Sequence, residues 1–317
     1  MATATAVRPE PGSRSASRRS LAGWILAALA VLTALLMLGH RLIPDVAGFG
    51  SLVDTAAPWF IVIVPIIALA AIPIRSRVAA LATLIPLVTW LALFGTAWLP
   101  AGGGRVDVRV ANQNMDADNP NPGQTIRQVE ATGADLIGLE EVTDSNAGVI
   151  ASTLDGRYRY HAMESTVQVW SRYPISHFAG VDLGLSWTRA LRVDVAMPRG
   201  NVTVYVVHLA SARAGQTATR DSTMAALVNR IRADGSPRIL VIGDLNTAST
   251  DRVLSPLTAM LHDTQAAAGR GLGFTWPAGF PMTRPDHILF RGLTAASSSV
   301  VATSGSDHRA IVAGLRF

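Results

Sequence analysis

Two short polar strings near the C-terminal end of the chain carry side chains that phosphoester hydrolysis requires. The first, Gly243-Asp244-Leu245-Asn246, follows the aliphatic run Ile239–Ile242, whose length and β-branched residues predict a buried strand. On the loop after this strand, the Asp244 carboxylate can position a water molecule and the Asn246 amide can hold a phosphoryl oxygen. The second string, Ser306-Asp307-His308, adds an imidazole and another carboxylate. Together the two strings predict a metal-assisted phosphoester hydrolase.

Polar residues also stand at the ends of other apolar runs. The two strings therefore indicate a functional site and not only turns, which such residues often mark. Loops at strand ends are where functional sites are built. The polar ends are Asn112-Gln113-Asn114 after Val106–Ala111, Glu140-Glu141 after Ala134–Leu139, His208 after Val202–Val207, and Asp286-His287 before Ile288–Phe290. A single Glu or His is more often a solvated charge or a hydrogen-bonded core residue. These four ends and the end at Asp244 make five polar strand ends, which favour one shared site.

In this order, the strings resemble the endonuclease/exonuclease/phosphatase superfamily, which includes DNase I-type nucleases, abasic-site endonucleases, bacterial sphingomyelinases and inositol polyphosphate 5-phosphatases. The resemblance covers residues 105–317 and rests on Ala-Asn-Gln-Asn, Gly-Leu-Glu-Glu-Val, Val-His-Leu, Gly-Asp-Leu-Asn, Pro-Asp-His-Ile and Ser-Asp-His. It implies an α/β fold, the four-layer α/β sandwich of DNase I, in which helices flank two packed mixed sheets and the site lies at the top of the sheets. Residues 123–132 and 217–232 are the expected outer helices.

The resemblance also implies a divalent metal, Mg²⁺ or Mn²⁺, whose main ligand is Glu141. Asn112, with Asn114 as a second candidate, would support this metal and Asp307 would lie near it, since hard cations prefer oxygen ligands. Glu140 stands where many members have Gln, and some members have Asp at the position of Asn114. The choice between one and two metals therefore stays open.

For catalysis, the resemblance implies a general base, His308, that activates the attacking water and is oriented by Asp286. Asp244 and Asn246 would place the nucleophile and hold a phosphoryl oxygen, while His208 would stabilise charge on the phosphate or serve the leaving group. This set is complete, which argues against a degenerate, inactive homologue. Further candidates for substrate binding are Asn114, Arg189, Arg220 and Trp276.

The first hundred residues differ sharply from the rest of the chain. Three uncharged runs are long enough to cross a hydrocarbon core of roughly 30 Å: Leu21–Leu38, Thr55–Ile74 and Val78–Leu99. Each run by itself could be a buried core helix, and the first could be a cleavable signal peptide. Three in succession before a hydrolase domain favour a membrane anchor of three transmembrane helices over residues 21–100, joined by the linker 101–104 to a catalytic domain at 105–317.

The distribution of arginine predicts how this anchor is oriented. Four arginines lie in residues 1–20, and Arg75 and Arg77 lie between the second and third runs, whereas residues 44–54 include two aspartates and no basic residue. By the positive-inside rule, the basic tail 1–20 is expected to be cytoplasmic, and its composition predicts disorder. An odd number of spans then places the catalytic domain at the outer face of the cell membrane.

Composition limits the partners of the catalytic domain. The chain has no cysteine, which excludes disulfides and thiol chemistry. Its net charge of +5 comes from the N-terminal part, because residues 105–317 hold 20 arginines against 19 acidic residues. A near-neutral domain lacks the basic surface with which proteins grip nucleic acid. The expected partners are therefore the lipid bilayer and a phosphorylated, lipid-linked substrate; no protein partner can be inferred.

Three hypotheses follow for the function. The leading one is a membrane-anchored, metal-dependent phosphoesterase at the outer face of the membrane. Its layout resembles that of the teicoplanin-resistance membrane proteins of the superfamily, which implies undecaprenyl pyrophosphate or a related lipid carrier as substrate. The alternative is an anchored extracellular nuclease or phosphodiesterase. The second alternative, a non-catalytic membrane protein that uses the domain to bind a partner, would predict a damaged site.

Overall fold

Two compact units make up the protein. The first, called the helical unit below, extends to Pro44 and resumes over Ala56–Thr96. The second, the catalytic unit, comprises Asp45–Thr55 and Ala97–Phe317. The segment Asp45–Thr55 thus belongs to the catalytic unit, although it lies between two parts of the helical unit in sequence. The structure, a computed structural model, describes residues 11–99, 101–213 and 215–317.

Apolar helices dominate the N-terminal part of the chain. They confirm the three apolar helices expected from the sequence, because three stretches are long and apolar enough to cross a membrane: Leu21–Leu42, Phe49–Ile74 and Arg77–Trp98. The individual elements are α1 (Pro11–Gly39), a 3₁₀ turn (His40–Leu42), α2 (Phe49–Ala56), a 3₁₀ turn (Ala57–Val62), α3 (Ile63–Ile74), α4 (Arg77–Ala82), α5 (Leu84–Phe94) and a 3₁₀ turn (Gly95–Trp98).

The first helix begins earlier than the sequence predicted. Helix α1 starts at Pro11, so residues 11–20 are helical rather than disordered. Alanine and arginine are good helix formers, and extending a long apolar helix backwards requires no new nucleation. Proline at the first turn is compatible with this start, because its missing N–H would have no helical partner there. The rest of the predicted tail, residues 1–10, lies outside the described residues.

Strands outnumber helices in the catalytic unit. The strands are β1 (Val108–Asn114), β2 (Leu136–Glu140), β3 (Tyr160–Glu164), β4 (Val167–Ser171), β5 (Ile175–Gly180), β6 (Ala190–Met197), β7 (Gly200–His208), β8 (Ile239–Asp244), β9 (His262–Asp263), β10 (Asp286–Arg291), β11 (Thr294–Val301) and β12 (Ala310–Arg316). The helices are α6 (Pro122–Glu130), α7 (Asp144–Leu154), α8 (Ala218–Ala233), α9 (Ser255–Thr258) and α10 (Thr264–Ala268), with a 3₁₀ turn at Arg252–Leu254. The helices predicted at 123–132 and 217–232 correspond to α6 and α8.

These strands form two six-stranded mixed sheets. The order is β11-β12-β1-β2-β4-β3 in the first sheet and β5-β6-β7-β8-β10-β9 in the second. Each sheet contains one parallel pair, β1 with β2 and β7 with β8, and its other pairs are antiparallel. The carboxyl ends of the paired parallel strands meet at one edge of their sheet, which is where the polar strings begin.

Three hydrophobic cores hold the catalytic unit together. Val110, Val204 and Ile242 belong to the core between the two sheets. A second core joins the outer face of the first sheet to α6 and α7, and a third joins the outer face of the second sheet to α8. Helix, sheet, sheet and helix therefore succeed one another as four layers, in which each helix layer buries one apolar face and each sheet buries both. The predicted α/β fold class is confirmed.

A buried ionic cluster braces the loop that follows β8. Oδ2 of Asp263 lies 2.8 Å from Nη1 of Arg284 and 3.2 Å from Nδ1 of His287. Burial acts to raise the pKa of Asp263, but Arg284 and His287 outweigh it and hold that pKa below its usual range. The other ring nitrogen of His287, Nε2, lies 2.9 Å from the carbonyl oxygen of Thr247. The cluster thus fixes the backbone three residues after Asp244.

Asp263→Asn is expected to lower the free energy of unfolding by about 3 kcal/mol, because it leaves a buried cation without its counter-ion. A depressed native pKa means that the carboxylate stabilises the fold above its unfolded pKa, near pH 4, and that this contribution is lost as the pH falls. Chemical unfolding in detergent should therefore show a full deficit at pH 7 that shrinks below about pH 4. The exposed Asp155→Asn serves as control; a deficit independent of pH would contradict this account.

Candidate active site

Strand register brings the polar strand ends of the sequence together. In the parallel pairs, Asn114 of β1 lies beside Glu140 of β2, and His208 of β7 lies beside Asp244 of β8. In the antiparallel pair of β10 with β8, Asp286 lies opposite Asp244. A slip of one residue in any pair would turn these side chains to the other face of the sheet. The site is thus a direct product of sheet register.

Gly243 permits the close approach of β8 to β7. Its φ is 145°, and a Cβ atom at this position would lie 1.9 Å from the carbonyl oxygen of Val207. Only glycine fits such a contact and such a backbone. The first residue of the Gly-Asp-Leu-Asn string is therefore required by the backbone, while the residues that follow supply the polar groups.

One amide joins two carboxylates at the centre of the site. Nδ2 of Asn114 donates to Oε1 of Glu141 and to Oδ2 of Asp244, at 3.0 Å each. The other oxygen of Glu141 accepts from the Ala117 N–H at 3.1 Å, and Oδ1 of Asp244 accepts from the Asn246 N–H at 2.8 Å. Two carboxylates gathered in this way favour binding of a cation, which removes their mutual repulsion.

Asn112 does not take the position beside Glu141 that the sequence analysis gave it. It is fully buried, and its Nδ2 donates to Oε2 of Glu140 at 3.1 Å. Asn112 and Asn114 face the same side of β1 because they are two residues apart, but Asn114 is nearer the strand end. Of the two asparagines considered as supports of the metal, the structure therefore places Asn114 rather than Asn112 beside Glu141 and Asp244.

Glu140 is buried close to this centre, where burial favours its neutral form. It is fully buried, which raises its pKa well above the usual range, and the nearby Asp286 and Asp244 raise it further. A protonated glutamic acid has nearly the shape and the charge of glutamine, the residue that many family members have here. The departure noted in the sequence therefore changes neither charge nor packing at this position.

His308 and Asp286 form the second half of the site. Nδ1 of His308 lies 2.9 Å from Oδ2 of Asp286, which also accepts a hydrogen bond from Oγ1 of Thr275 at 2.5 Å. Nε2 of His308 lies 3.8 Å from Oδ2 of Asp244. Burial acts to lower the pKa of His308, but Asp286, Asp244 and Asp307 raise it to about 10. Sequence reasoning missed Thr275, since nothing in its surroundings distinguishes it from an ordinary loop threonine.

His208 has the opposite electrostatic environment. Its Nε2 lies 3.6 Å from Oε1 of Glu141 and 3.9 Å from Oδ2 of Asp244, and Nη2 of Arg189 lies 2.5 Å from its ring nitrogens. Burial lowers the pKa of His208 to about 4, and Arg189 and His308 add to this lowering against the effect of Asp244. Two imidazoles with pKa values driven apart suit different roles: His308 can exchange a proton, and His208 stays neutral.

The donor set fits a divalent metal. Glu141 and Asp244 are the best ligands, because Asn114 already draws their oxygens together and because hard cations such as Mg²⁺ and Mn²⁺ prefer carboxylate oxygen. Oδ2 of Asp286, by contrast, already accepts a hydrogen bond from Thr275 and lies 2.9 Å from Nδ1 of His308, while its Oδ1 is buried with no hydrogen-bond partner among the residues that the structure describes. Among the described residues, two groups whose ligand atoms all lie within 4.8 Å of one another meet the geometric requirement: Glu141, His208 and Asp244, and Asp244, Asp286 and His308.

Asp307 lies at the rim rather than within either group. Its side chain is about half exposed; Oδ1 is 3.9 Å from Nε2 of His308. Its Oδ2 accepts a hydrogen bond from Nε1 of Trp276 at 3.0 Å. Trp276, predicted as a substrate contact, thus stands at the mouth of the site. Asp307 influences the charge of His308 from there and is not among the grouped ligands.

The two arginines that were predicted to contact substrate have different surroundings. Arg189 lies beside His208, and its guanidinium stacks 5.0 Å from the ring centre of Trp187. Arg220 is almost fully buried and pairs with Asp221 at 2.6 Å and with Asp251 at 2.9 Å. A guanidinium with these partners is not available to substrate. Arg189 therefore lies in the candidate site beside His208, whereas Arg220 is paired with acidic side chains.

The sequence matches the Endonuclease/Exonuclease/phosphatase family over residues 89–308, and the chain belongs to this family. Its members hydrolyse phosphate esters, which agrees with the acidic and imidazole groups assembled here. No curated protein matches the chain.

Solved structures show the same fold. Their sequence identity to this chain is low, so these likenesses show the fold alone, and they confirm the DNase I-like sandwich. D. rerio TDP2 complexed with single-strand DNA product has a TM-score of 0.58 and 15% identity over 66% of this chain and 99% of that chain. The Bacteroides thetaiotaomicron mannosyl-6-phosphatase has a TM-score of 0.56 and 15% identity over 66% and 100%. Beta toxin from Staphylococcus aureus has a TM-score of 0.51 and 16% identity over 65% and 99%.

Asn114→Ala is expected to lower the affinity for the divalent metal about 10- to 100-fold, as removal of a group that orients metal ligands usually does. The control is Asn112→Ala, which should leave the metal requirement near that of wild type and instead lower stability by about 1–3 kcal/mol, because it leaves a buried acid without its partner. The measurement is turnover against Mg²⁺ concentration, together with thermal unfolding. A larger shift in metal requirement for Asn112→Ala would show that the wrong asparagine has been assigned.

Glu140→Gln is expected to keep both turnover and the unfolding temperature close to wild type, because it replaces one neutral, buried hydrogen-bonding group with another. Glu140→Ala should be less stable, since it leaves a cavity and an unpaired Asn112 amide. Thermal unfolding and steady-state kinetics at neutral pH distinguish these variants. Inactivation by Glu140→Gln with the fold retained would show that Glu140 acts as a carboxylate.

Proposed function

We propose that this protein is a membrane-anchored, divalent-metal-dependent phosphoesterase that hydrolyses a lipid-linked phosphate ester or pyrophosphate at the outer face of the cytoplasmic membrane. The observation that carries the proposal is the convergence of Asn114, Glu141 and Asp244 with Asp286 and His308. These side chains can gather a cation, a water molecule and a phosphoryl group. Family membership supports the same reaction class.

In this proposal, water attacks phosphorus in line with the leaving group. Nε2 of His308 accepts the proton, because Nδ1 is hydrogen-bonded to Asp286, which orients the ring and stabilises its protonated form. A divalent cation at Glu141 and Asp244 would supply positive charge that polarises a phosphoryl oxygen and offsets the carboxylates that raise the pKa of His308. Asn246, whose N–H is bonded to Asp244, would hold a phosphoryl oxygen.

Arg189 and His208 serve the charge that develops on the phosphoryl group. The Arg189 guanidinium is a fixed cation beside the neutral His208 ring, so the pair can donate hydrogen bonds to phosphoryl oxygens without taking part in proton transfer. Donors that are already in place stabilise the transition state at no cost of reorganisation. In this proposal His308 moves the proton, and His208 stabilises charge.

An apolar rim favours a lipid-linked substrate over a nucleic acid. Trp276, Phe280 and Met282 lie on one loop with exposures of 42%, 66% and 44%, and Trp187, whose ring contacts the Arg189 guanidinium, is exposed at 46%. Nε1 of Trp276 is bonded to Asp307, the neighbour of His308, so this loop begins at the site. Exposed aromatic and methionine side chains around a phosphate site suit an acyl or isoprenyl chain, whereas phosphodiester backbones are bound by basic surfaces.

The segment Asp45–Thr55 supports the proposed orientation. It follows the first candidate span, includes the first residues of the second, Phe49–Ile74, and forms part of the catalytic unit. The connection between these two spans therefore belongs on the same side of the membrane as the catalytic unit, as three spans require. The segment contains Asp45 and Asp54 and no basic residue, while Arg75 and Arg77 lie between the second and third spans. Basic residues favour the cytoplasmic side, which leaves the catalytic unit outside.

The substrate class is tested with full-length protein purified in detergent with Mg²⁺. Phosphate release from undecaprenyl pyrophosphate and nicking of plasmid DNA are measured side by side. We expect phosphate release without nicking, and we expect His308→Ala to lower turnover by about 100-fold or more while the unfolding temperature is retained. Nicking without phosphate release would make the protein an anchored nuclease and would overturn the proposed substrate.

Phe280→Ser is expected to raise KM for the lipid-linked pyrophosphate while leaving turnover of a water-soluble phosphodiester unchanged, because Phe280 lies at the rim and away from the reacting groups. Phe178→Ser is the matched control, since Phe178 is similarly exposed but lies on the edge strand β5. Steady-state kinetics in mixed micelles give both parameters. Equal effects of the two variants on KM would argue against a lipid contact at this loop.

A further inference from the structure

The segment that follows the first candidate span is built into the catalytic unit. Asp45–Thr55 belongs to the catalytic unit, and the side chains of Ser51 and Asp54 are buried there. Buried polar groups in a short connecting segment require partners. Those partners lie about two hundred residues further along the chain, on the loop that leaves β8 and on α8.

Asp54 forms a two-pronged ion pair with Arg252. Oδ2 of Asp54 accepts from Nε of Arg252 at 2.6 Å and from its backbone N–H at 3.0 Å, and Oδ1 accepts from Nη2 at 2.9 Å. Such a fork fixes both position and orientation. Because Asp54 is fully buried, the pairing anchors the segment to the catalytic unit in one register.

Ser51 connects the same segment to Arg220. Its Oγ accepts from Nη2 of Arg220 at 3.0 Å and lies 2.9 Å from Oδ2 of Asp45 and 3.3 Å from Oδ1 of Asp251. The other oxygen of Asp251 accepts from Nη1 of Arg220 at 2.9 Å. The Ser51 hydroxyl thus provides a hydrogen-bond acceptor for the buried guanidinium of Arg220, which has no direct part in the proposed reaction.

Arg220 in turn contacts the loop that carries the active-site residues. Its Nη1 lies 3.3 Å from the carbonyl oxygen of Asn246 and 3.3 Å from Oγ1 of Thr247. Asn246 has a left-handed backbone with φ 47°, a conformation that requires support from its surroundings. Its N–H is bonded to Oδ1 of Asp244. A continuous series of contacts therefore runs from Ser51 through Arg220 and Asn246 to Asp244.

Two glycines show how closely the segment packs. A Cβ atom at Gly48 would lie 2.6 Å from Cγ2 of Thr217, and Gly48 has φ 80°. A Cβ atom at Gly50 would lie 2.9 Å from Cα of Asp45 and 3.0 Å from the guanidinium carbon of Arg252. Glycine at these two positions therefore lets the segment pack closely against Thr217 and Arg252 of the catalytic unit.

We propose that Asp45–Thr55 is a positioning element of the active site and that Ser51 and Arg220 are positioning residues. They hold the carbonyl of Asn246, and through it the orientation of Asp244 and Asn246 toward the phosphoryl group. The proposal rests on the proposed function, because it assigns these residues a part in that reaction. It gives the segment that connects the first two candidate spans, and that includes the first residues of the second, a role in catalysis.

The test uses the full-length protein in detergent with Mg²⁺ and compares Ser51→Ala with Ser222→Ala, an exposed serine of α8 whose hydroxyl bonds only within its own helix. Hydrogen–deuterium exchange of residues 245–250 is measured beside the exchange of β6 and β7. Ser51→Ala should speed exchange in 245–250 by on the order of tenfold, the effect of losing one buried hydrogen bond, and should leave β6 and β7 unchanged. Ser222→Ala should change neither.

Kinetics provide the second readout. With bis(4-nitrophenyl) phosphate as a small soluble probe, Ser51→Ala should lower kcat and leave KM unchanged, since the reacting groups are misaligned while the binding surface is kept. Unchanged exchange in 245–250, or faster exchange spread uniformly over the unit, would overturn the proposal. Should the wild type hydrolyse neither this probe nor a lipid pyrophosphate, the proposed function fails, and the exchange data still decide whether Ser51 holds the loop.

Discussion

The catalytic unit depends on holding several acidic groups close together in a largely buried space. Glu141 and Asp244 share the amide of Asn114, and Asp286 is bonded to His308. Carboxylates at such distances repel one another in a poorly solvated site. Amides, backbone N–H groups and an imidazole relieve part of this repulsion, and Glu140 relieves more by remaining neutral. The remaining negative charge is what makes the site a place for a cation and a phosphoryl group.

Sheet register and loop bracing keep this arrangement in place. The parallel pairs of the two sheets set His208 beside Asp244 and Asn114 beside Glu140. The loop after β8 is then held from two sides, by the His287 ring on the carbonyl of Thr247 and by Arg220 on the carbonyl of Asn246. The apolar cores on either side of each sheet supply the rigidity, while the polar braces set the orientation of a few groups.

Much of this could be predicted from the sequence, because polar strings that directly follow apolar runs mark strand ends, and strand ends meet at one edge of a sheet. Local spacing could not choose between Asn112 and Asn114, which share a face of β1 and differ only in depth. Nor could it assign Arg220, whose burial depends on contacts with Asp251 and with Ser51, 169 residues earlier in the chain. Packing between residues far apart in sequence determines these positions, and short sequence motifs contain no information about it.

The central claim is that Glu141 and Asp244, joined by Asn114, bind a divalent metal on which hydrolysis depends. Titration of full-length protein with Mn²⁺, followed by electron paramagnetic resonance of the free ion, tests it most directly. The account predicts saturable binding that Mg²⁺ competes for and that Glu141→Gln weakens strongly, with activity rising in proportion to occupancy. Binding that is unaffected by Glu141→Gln, or hydrolysis that persists in full after chelation, would contradict it.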